Sequence, residues 1–191
     1  RGILCRMASA VLSFTTDLLG RLCNTMSKRE LQANPAQRAN IVELQNILET
    51  GIAKGHVECA KDQTSLRHFF TPAHPDFCAS IYARELSMPA GLTIVGKLHR
   101  HAHMTFVTKG KMIISSEEGQ HTVEAPATFV SPAGIKRAFY ILEDAVLTTV
   151  HLTQEAEETE ENLASLEDAL IAPTYEAMGL EDPRKTKGNL T

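Results

Sequence analysis

Turn residues punctuate the middle of this chain at short intervals, and that cadence restricts it to a β architecture. Pro89-Ala90-Gly91, Lys109-Gly110-Lys111, Glu118-Gly119, Ser131-Pro132-Ala133-Gly134 and Glu143-Asp144 separate runs in which apolar and polar residues alternate. The runs Phe77–Leu86, Leu92–His103, Thr105–Ser115, His121–Val130, Ile135–Leu142 and Ala145–Leu152 read as short strands. A strand of this kind buries one face and needs a partner sheet to do so. The spacing therefore predicts a β-sandwich or barrel over residues 77–152.

Both flanks read differently. Asn34-Pro35 opens a helix, with Asn as N-cap and Pro at the first helical position. Ile41, Leu44 and Leu48 follow at helical spacing and Gly51 supplies a stop. From His56 to Pro75 the pattern is irregular. Beyond Thr153, Glu155, Glu157, Glu158, Glu160 and Glu161 precede Leu163, Leu166 and Leu170, which share one helical face, and Pro173 ends that helix. Acids in a first turn suit the helix dipole, so this charge run reads as a solvated helix start. The expected organisation is an extraneous or transit-like segment 1–25, a helix and lead-in 26–76, the barrel 77–152 and a C-terminal helix and tail 153–191. Met26 is the expected natural start, and the last ten or so residues the expected frayed end.

Composition removes several function classes. A formal net charge of -4 with no basic run gives no footprint for nucleic acid. No apolar stretch is long enough for a membrane-spanning helix. Cys5, Cys23, Cys59 and Cys78 are widely spaced without a Cys-x-x-Cys, which points to reduced thiols and a cytoplasmic protein rather than a disulfide framework. The absence of Trp and the 5% aromatic content argue against a carbohydrate or base-stacking platform. Neither a phosphate-cradling Gly loop nor a Gly-x-Ser-x-Gly elbow is present.

Chemistry concentrates in His99-Arg100-His101-Ala102-His103. Side chains at i, i+2 and i+4 of a strand share a face, and neutral imidazole is the commonest metal ligand. Along a straight strand the outer two stand roughly 13 Å apart. Either the chain bends near His103, or only two of the three are ligands. His151, at the end of the last predicted strand with Leu147 and Thr149 on its face, is a candidate for a missing ligand.

These residues lie in a pattern that resembles the first cupin motif, which runs Gly, five residues, His-x-His, three or four residues, Glu, six residues, Gly. Gly91, Lys97, His99, His103 and Gly110 fall at its spacing, with Lys97 in the place of the first His and His103 in the place of Glu. The second motif is matched at its centre by Pro132-Ala133-Gly134, with Arg137 at the His position, Pro126 at the leading Gly and Ile141 at the trailing Asn. The resemblance implies a mainly β, cupin-like double-stranded β-helix barrel with flanking helices. It also implies a homodimer. The His-rich strand and the run Pro132 to Arg137 are similar as well to small cupin-like proteins of tailed phages.

Lys97 and Arg137, at ligand positions, should point into the barrel. A guanidinium cannot ligate a cation but can hold a carboxylate or phosphate by a bidentate pair. The alternative is that Arg137 pairs with an inward acid, Glu124 or Glu143. Three functions follow. The first is a cupin that binds a divalent transition metal (Fe, Zn, Mn or Ni) through His99, His101, His103 and His151, and as an enzyme would be a dioxygenase or isomerase. The second is a binding module whose Lys97 and Arg137 capture a small anion. The third is a phage-like structural or assembly protein that keeps the barrel without the chemistry.

Overall fold

The computed structural model describes residues 3–7 and 35–183. Its strands are β1 (Ile3–Met7), β2 (Val57–Cys59), β3 (Ser65–Phe70), β4 (Ser80–Met88), β5 (Leu92–Val95), β6 (Leu98–His99), β7 (His103–Ser116), β8 (Gly119–Glu124), β9 (Ala127–Ser131), β10 (Ala138–Thr153) and β11 (Ile171–Ala172). Two helices, α1 (Pro35–Ala53) and α2 (Glu160–Leu170), flank them. The fold is mainly β with antiparallel pairing throughout, as the cadence of turns predicts. Asn34, Met26 and the C-terminal end beyond residue 183 lie outside the described residues.

Two of the predicted turns are bends instead. Thr105–Ser115 was expected to break at Lys109-Gly110-Lys111, yet β7 runs unbroken from His103 to Ser116. Likewise β10 runs from Ala138 to Thr153 through Glu143-Asp144, with register shifts on both sides of Glu143. The strands other than β6 and β11 are hydrogen-bonded into one nine-stranded sheet, which the bends in β7 and β10 fold into two halves that act as two sheets. The first half of β10 lies between β5 and β7, pairing Ala138 with both Val95 and Ser115. Its second half lies between β4 and β7, pairing Val150 with Ala83 and Met104. On the far side of β7, β8 pairs with the later half and β9 with the earlier half.

The two sheets thus meet along one line of bends, and backbone hydrogen bonds stitch that line. Gly91 N–H donates to Ile141 C=O at 2.8 Å, and Ala125 N–H to Gly110 C=O at 2.9 Å. Ala90 N–H donates to the Asp144 carboxylate at 2.9 Å. Gly110 is required here on two counts. Its φ is +79°, and a Cβ would stand 2.2 Å from Asp144 C=O, so only a residue without one permits the crossing.

Inside the bend sits the main core, with Leu92, Ile94, Val107, Met112, Ile141 and Leu147 buried together. Leu92 and Ile94, on one parity of β5, face this core. Thr93 and Val95, on the other parity, are buried too, because α1 covers that side with Ile41, Leu44 and Leu48 against Val95 and Ala138. The helix passes Gly51, where a Cβ would meet Val57 Cγ2 at 2.5 Å. It ends instead in a Schellman turn at Gly55 (φ +71°), where His56 N–H donates to Gly51 C=O at 2.8 Å. Thr159 caps α2, accepting from Asn162 N–H, and Leu166 and Leu170 bury against Tyr82 of β4. One strand lies within the segment 1–25 that the sequence sets aside. β1 pairs with β5 and β2 in register Cys5 to Thr93 and Cys5 to Cys59.

Candidate metal centre

Three strands deliver one histidine each to a common point. His103 opens β7 and His151 stands near the end of β10, both on the inner face. Val150 pairs with Met104, so the next rung sets His151 beside His103. His99 ends β6 and arrives from across the opening. The ring centroids are 4.3 Å apart for His99 and His103, 4.5 Å for His103 and His151, and 5.3 Å for His99 and His151. One ring nitrogen from each lies within 4.8 Å of the others.

The arrangement of β6 explains which histidines converge. Ile171 pairs with His99, and Gly134 N–H, from the Pro132-Ala133-Gly134 turn, donates to His99 C=O at 2.9 Å. The chain then leaves the strand because Arg100 is tied to the end of α2. Its N–H donates to Leu170 C=O at 2.8 Å, and its Nε reaches Ile171 C=O at 3.1 Å. That turn carries His101 out to solvent. His101 keeps only an indirect role, its carbonyl lying 3.3 Å from His103 Nδ1. Of the two expected alternatives, a bend near His103 or only two ligands, the chain bends, and His151 joins His99 and His103 while His101 stays outside.

The three imidazoles are held neutral. Burial lowers the pKa of His99 to about 2, with the neighbouring His103, His151, Arg84 and Arg137 adding to the effect. Burial, then His103 and Arg84, lower His151 to about 4. His103 is lowered as well, by burial first, against the hydrogen bond to His101. Neutral imidazole is the ligating form. His99 Nδ1 is moreover buried without a hydrogen-bond partner. A buried polar atom in that state costs on the order of 1–3 kcal/mol, and a metal ion would relieve it. The donor set and the orphaned nitrogen fit a divalent transition metal held by His99, His103 and His151.

Arg137 faces the same interior. Its guanidinium lies over the Phe129 ring at 5.6 Å and 3.8 Å from Glu118, and its charge bears on both His99 and His103. Neither acid expected as its partner fills that role: Glu124 pairs with Lys111 at 2.8 Å, and Glu143 is exposed. Lys97 does not point into the barrel. Its Nζ bonds Glu167 of α2 at 2.7 Å, beside an outer cleft between α1 and the end of α2. A long flexible side chain at the barrel rim finds the nearer carboxylate.

Sequence reasoning missed two residues of β4. Tyr82 and Arg84 share the inward parity of the core residues Leu86 and Met88. Tyr82 stacks near His151 at 6.1 Å and shares a 2.7 Å hydrogen bond with His68 Nδ1. The signal was present: a charged residue on the apolar parity of an alternating strand. Thr105, Ser131 and Thr149 line the wall beneath, where Thr105 and Ser131 hydroxyls lie 2.9 Å apart.

No protein-family model and no curated protein matches the chain. Several solved structures are similar to part of it. The cupin domain of Cnp3 from Schizosaccharomyces pombe is 20% identical over 63% of this chain and 74% of its own, with a TM-score of 0.38. KdgF from Halomonas sp. is 15% identical over 51% of this chain and 83% of its own, with a TM-score of 0.36. A cupin-2 domain protein from Shewanella frigidimarina is 11% identical over 46% of this chain and 80% of its own, with a TM-score of 0.35.

Proposed function

We propose that this chain is a metal-binding cupin-type protein in which His99, His103 and His151 hold one divalent transition metal. The observation that carries the reading is the convergence of three buried, neutral imidazoles from three strands, with His99 Nδ1 left unbonded. Three protein ligands leave positions open for water or a small ligand, as catalytic rather than closed structural sites do. A bound ion would supply Lewis acidity, and with iron also redox chemistry of the kind a dioxygenase uses. Arg137 faces the same interior, with its guanidinium over Phe129 and 3.8 Å from Glu118.

Elemental analysis of protein purified without added metal tests the reading. About one ion per chain is expected. His99→Ala and His151→Ala should each weaken binding by more than about a hundredfold, the upper range for loss of a supporting residue, while His101→Ala should retain it. A chain without metal at neutral pH, whose stability a chelator leaves unchanged, would overturn the proposal and favour a barrel kept as scaffold.

We also propose that two copies pair through the outer face of the sheet opposite α1. The register aligns Phe69, Ala83, Val150, Met104 and Val130 in one row across β3, β4, β10, β7 and β9. Phe69, Met104 and Val130 of that row are exposed, as are Ile81 and Leu152 beside it. A contiguous apolar face of this kind marks an interaction surface.

A further inference from the structure

We infer that Arg84 makes the histidine pocket a carboxylate-binding site, its ligand a small carboxylic acid anion seated between the guanidinium and the three imidazoles. The inference rests on the metal reading for where the ligand lies, though not for why Arg84 needs one. Arg84 lies on β4, and Thr149, next to it on β10, is two residues from His151 on the same face. Among the described residues its side chain forms no ion pair and no hydrogen bond, while its backbone pairs with Thr149 and His68. Other half-buried cations nearby have partners: Arg38 bonds Glu117 at 2.9 Å, Lys97 bonds Glu167 at 2.7 Å, Arg137 has Glu118 at 3.8 Å, and Arg100 Nε is held by the Ile171 carbonyl at 3.1 Å. Glu167, the acid whose charge is felt at Arg84, is itself committed to Lys97.

An arginine cannot escape burial by losing its proton. Leaving its charge unpaired in a half-buried setting is costly unless an anion arrives. The three imidazoles bring it no counter-charge: a neutral ring could accept a hydrogen bond, but none to Arg84 is formed, and the guanidinium disfavours protonation of His99 and His151. A divalent ion on the imidazoles would add to the positive potential and deepen the demand for an anion. The free group is a single planar fork, because Arg137 is already engaged with Phe129 and Glu118. One fork matches the two oxygens of one carboxylate. A phosphate dianion would leave oxygens without donors.

The test is calorimetric titration of pyruvate into the full chain, both metal-free and zinc-loaded, with inorganic phosphate as a second probe. Pyruvate should bind both forms, more tightly with zinc. Arg84→Gln should weaken it at least tenfold in each form while leaving zinc content unchanged, and Arg84→Lys should recover part of the affinity. Melting without ligand adds a readout a structural role would move the other way: removing an unpaired buried cation should leave Arg84→Gln as stable as the parent or more so. Pyruvate binding that ignores the substitution, phosphate binding the tighter, no binding to either form, or a clear loss of stability in Arg84→Gln would each overturn the inference. If zinc fails to bind but pyruvate still binds in an Arg84-dependent way, the metal reading falls and the carboxylate site stands.

Discussion

A buried, neutral imidazole with one nitrogen unbonded, as at His99, is held there by the surrounding fold, and it leaves a signature in pH. In the unfolded chain each histidine protonates near 6.5, whereas burial lowers His99 to about 2 and His151 to about 4. The unfolded state therefore binds more protons below pH 6.5, so stability falls with falling pH. Each of the two should cost about 1.4 kcal/mol per pH unit, until His151 protonates near pH 4 and only His99 continues. Above pH 7 neither contributes a slope. Denaturant melts of the metal-free protein at pH 7.5, 6.5 and 5 check this, and equal stability at all three would contradict the burial of the cluster. Part of the cluster could be read from the sequence and part could not. Spacing set the outer two roughly 13 Å apart on a straight strand and left open a bend near His103 or only two ligands, but it could not show that Arg100 would bind the end of α2 and turn His101 outward. That contact joins residues about 70 apart, and no local pattern encodes it.

Elements in this fold are read correctly by alternation and misread where a strand bends without ending. Gly110 and Glu143-Asp144 carry the residue types of turns, yet β7 and β10 pass through them because their neighbours bend at the same level. A turn and a shared bend look alike in one strand and differ only in what the next strand does. Gly110→Ala tests the bend directly. A Cβ at that position would collide with Asp144 C=O at a φ of +79°, and the variant should lose about 1–3 kcal/mol from backbone strain alone, seen as a lowered denaturation midpoint. A neutral result would mean the bend relaxes and the two sheets are not locked. By contrast, Lys97→Ala removes a half-exposed ion pair with Glu167 on the rim. It should change stability by less than about 1 kcal/mol and leave metal content as it was. Loss of metal in that variant would return Lys97 to the interior, where the family pattern put it.

At the scale of the whole molecule, the two sheets differ in how they are covered. α1 closes the outer side of the sheet that holds β5, burying Val95 and Ala138. The other sheet has no described element over its outer face, where Val130 is 59% exposed and Leu152 74%. No helix among the described residues is long and apolar enough to cross a membrane, and the partner proposed for this face is a second copy of the chain. Register makes the surface self-complementary in kind, since a two-fold axis can lay the apolar row of one copy across the same row of the other. Single charged residues in the row should then split the pair without touching the core. Val130→Glu and Met104→Glu place carboxylates at exposed positions, so each folded monomer should keep its melting behaviour and its metal. Light scattering after size exclusion should show the parent at twice the chain mass and both variants at the chain mass. A parent that runs as a monomer at micromolar concentration would remove the pairing. Variants that stay dimeric would instead move the interface to the edge at β3, which pairs on its outer side with no strand among the described residues and is the other place where two copies can add strand to strand.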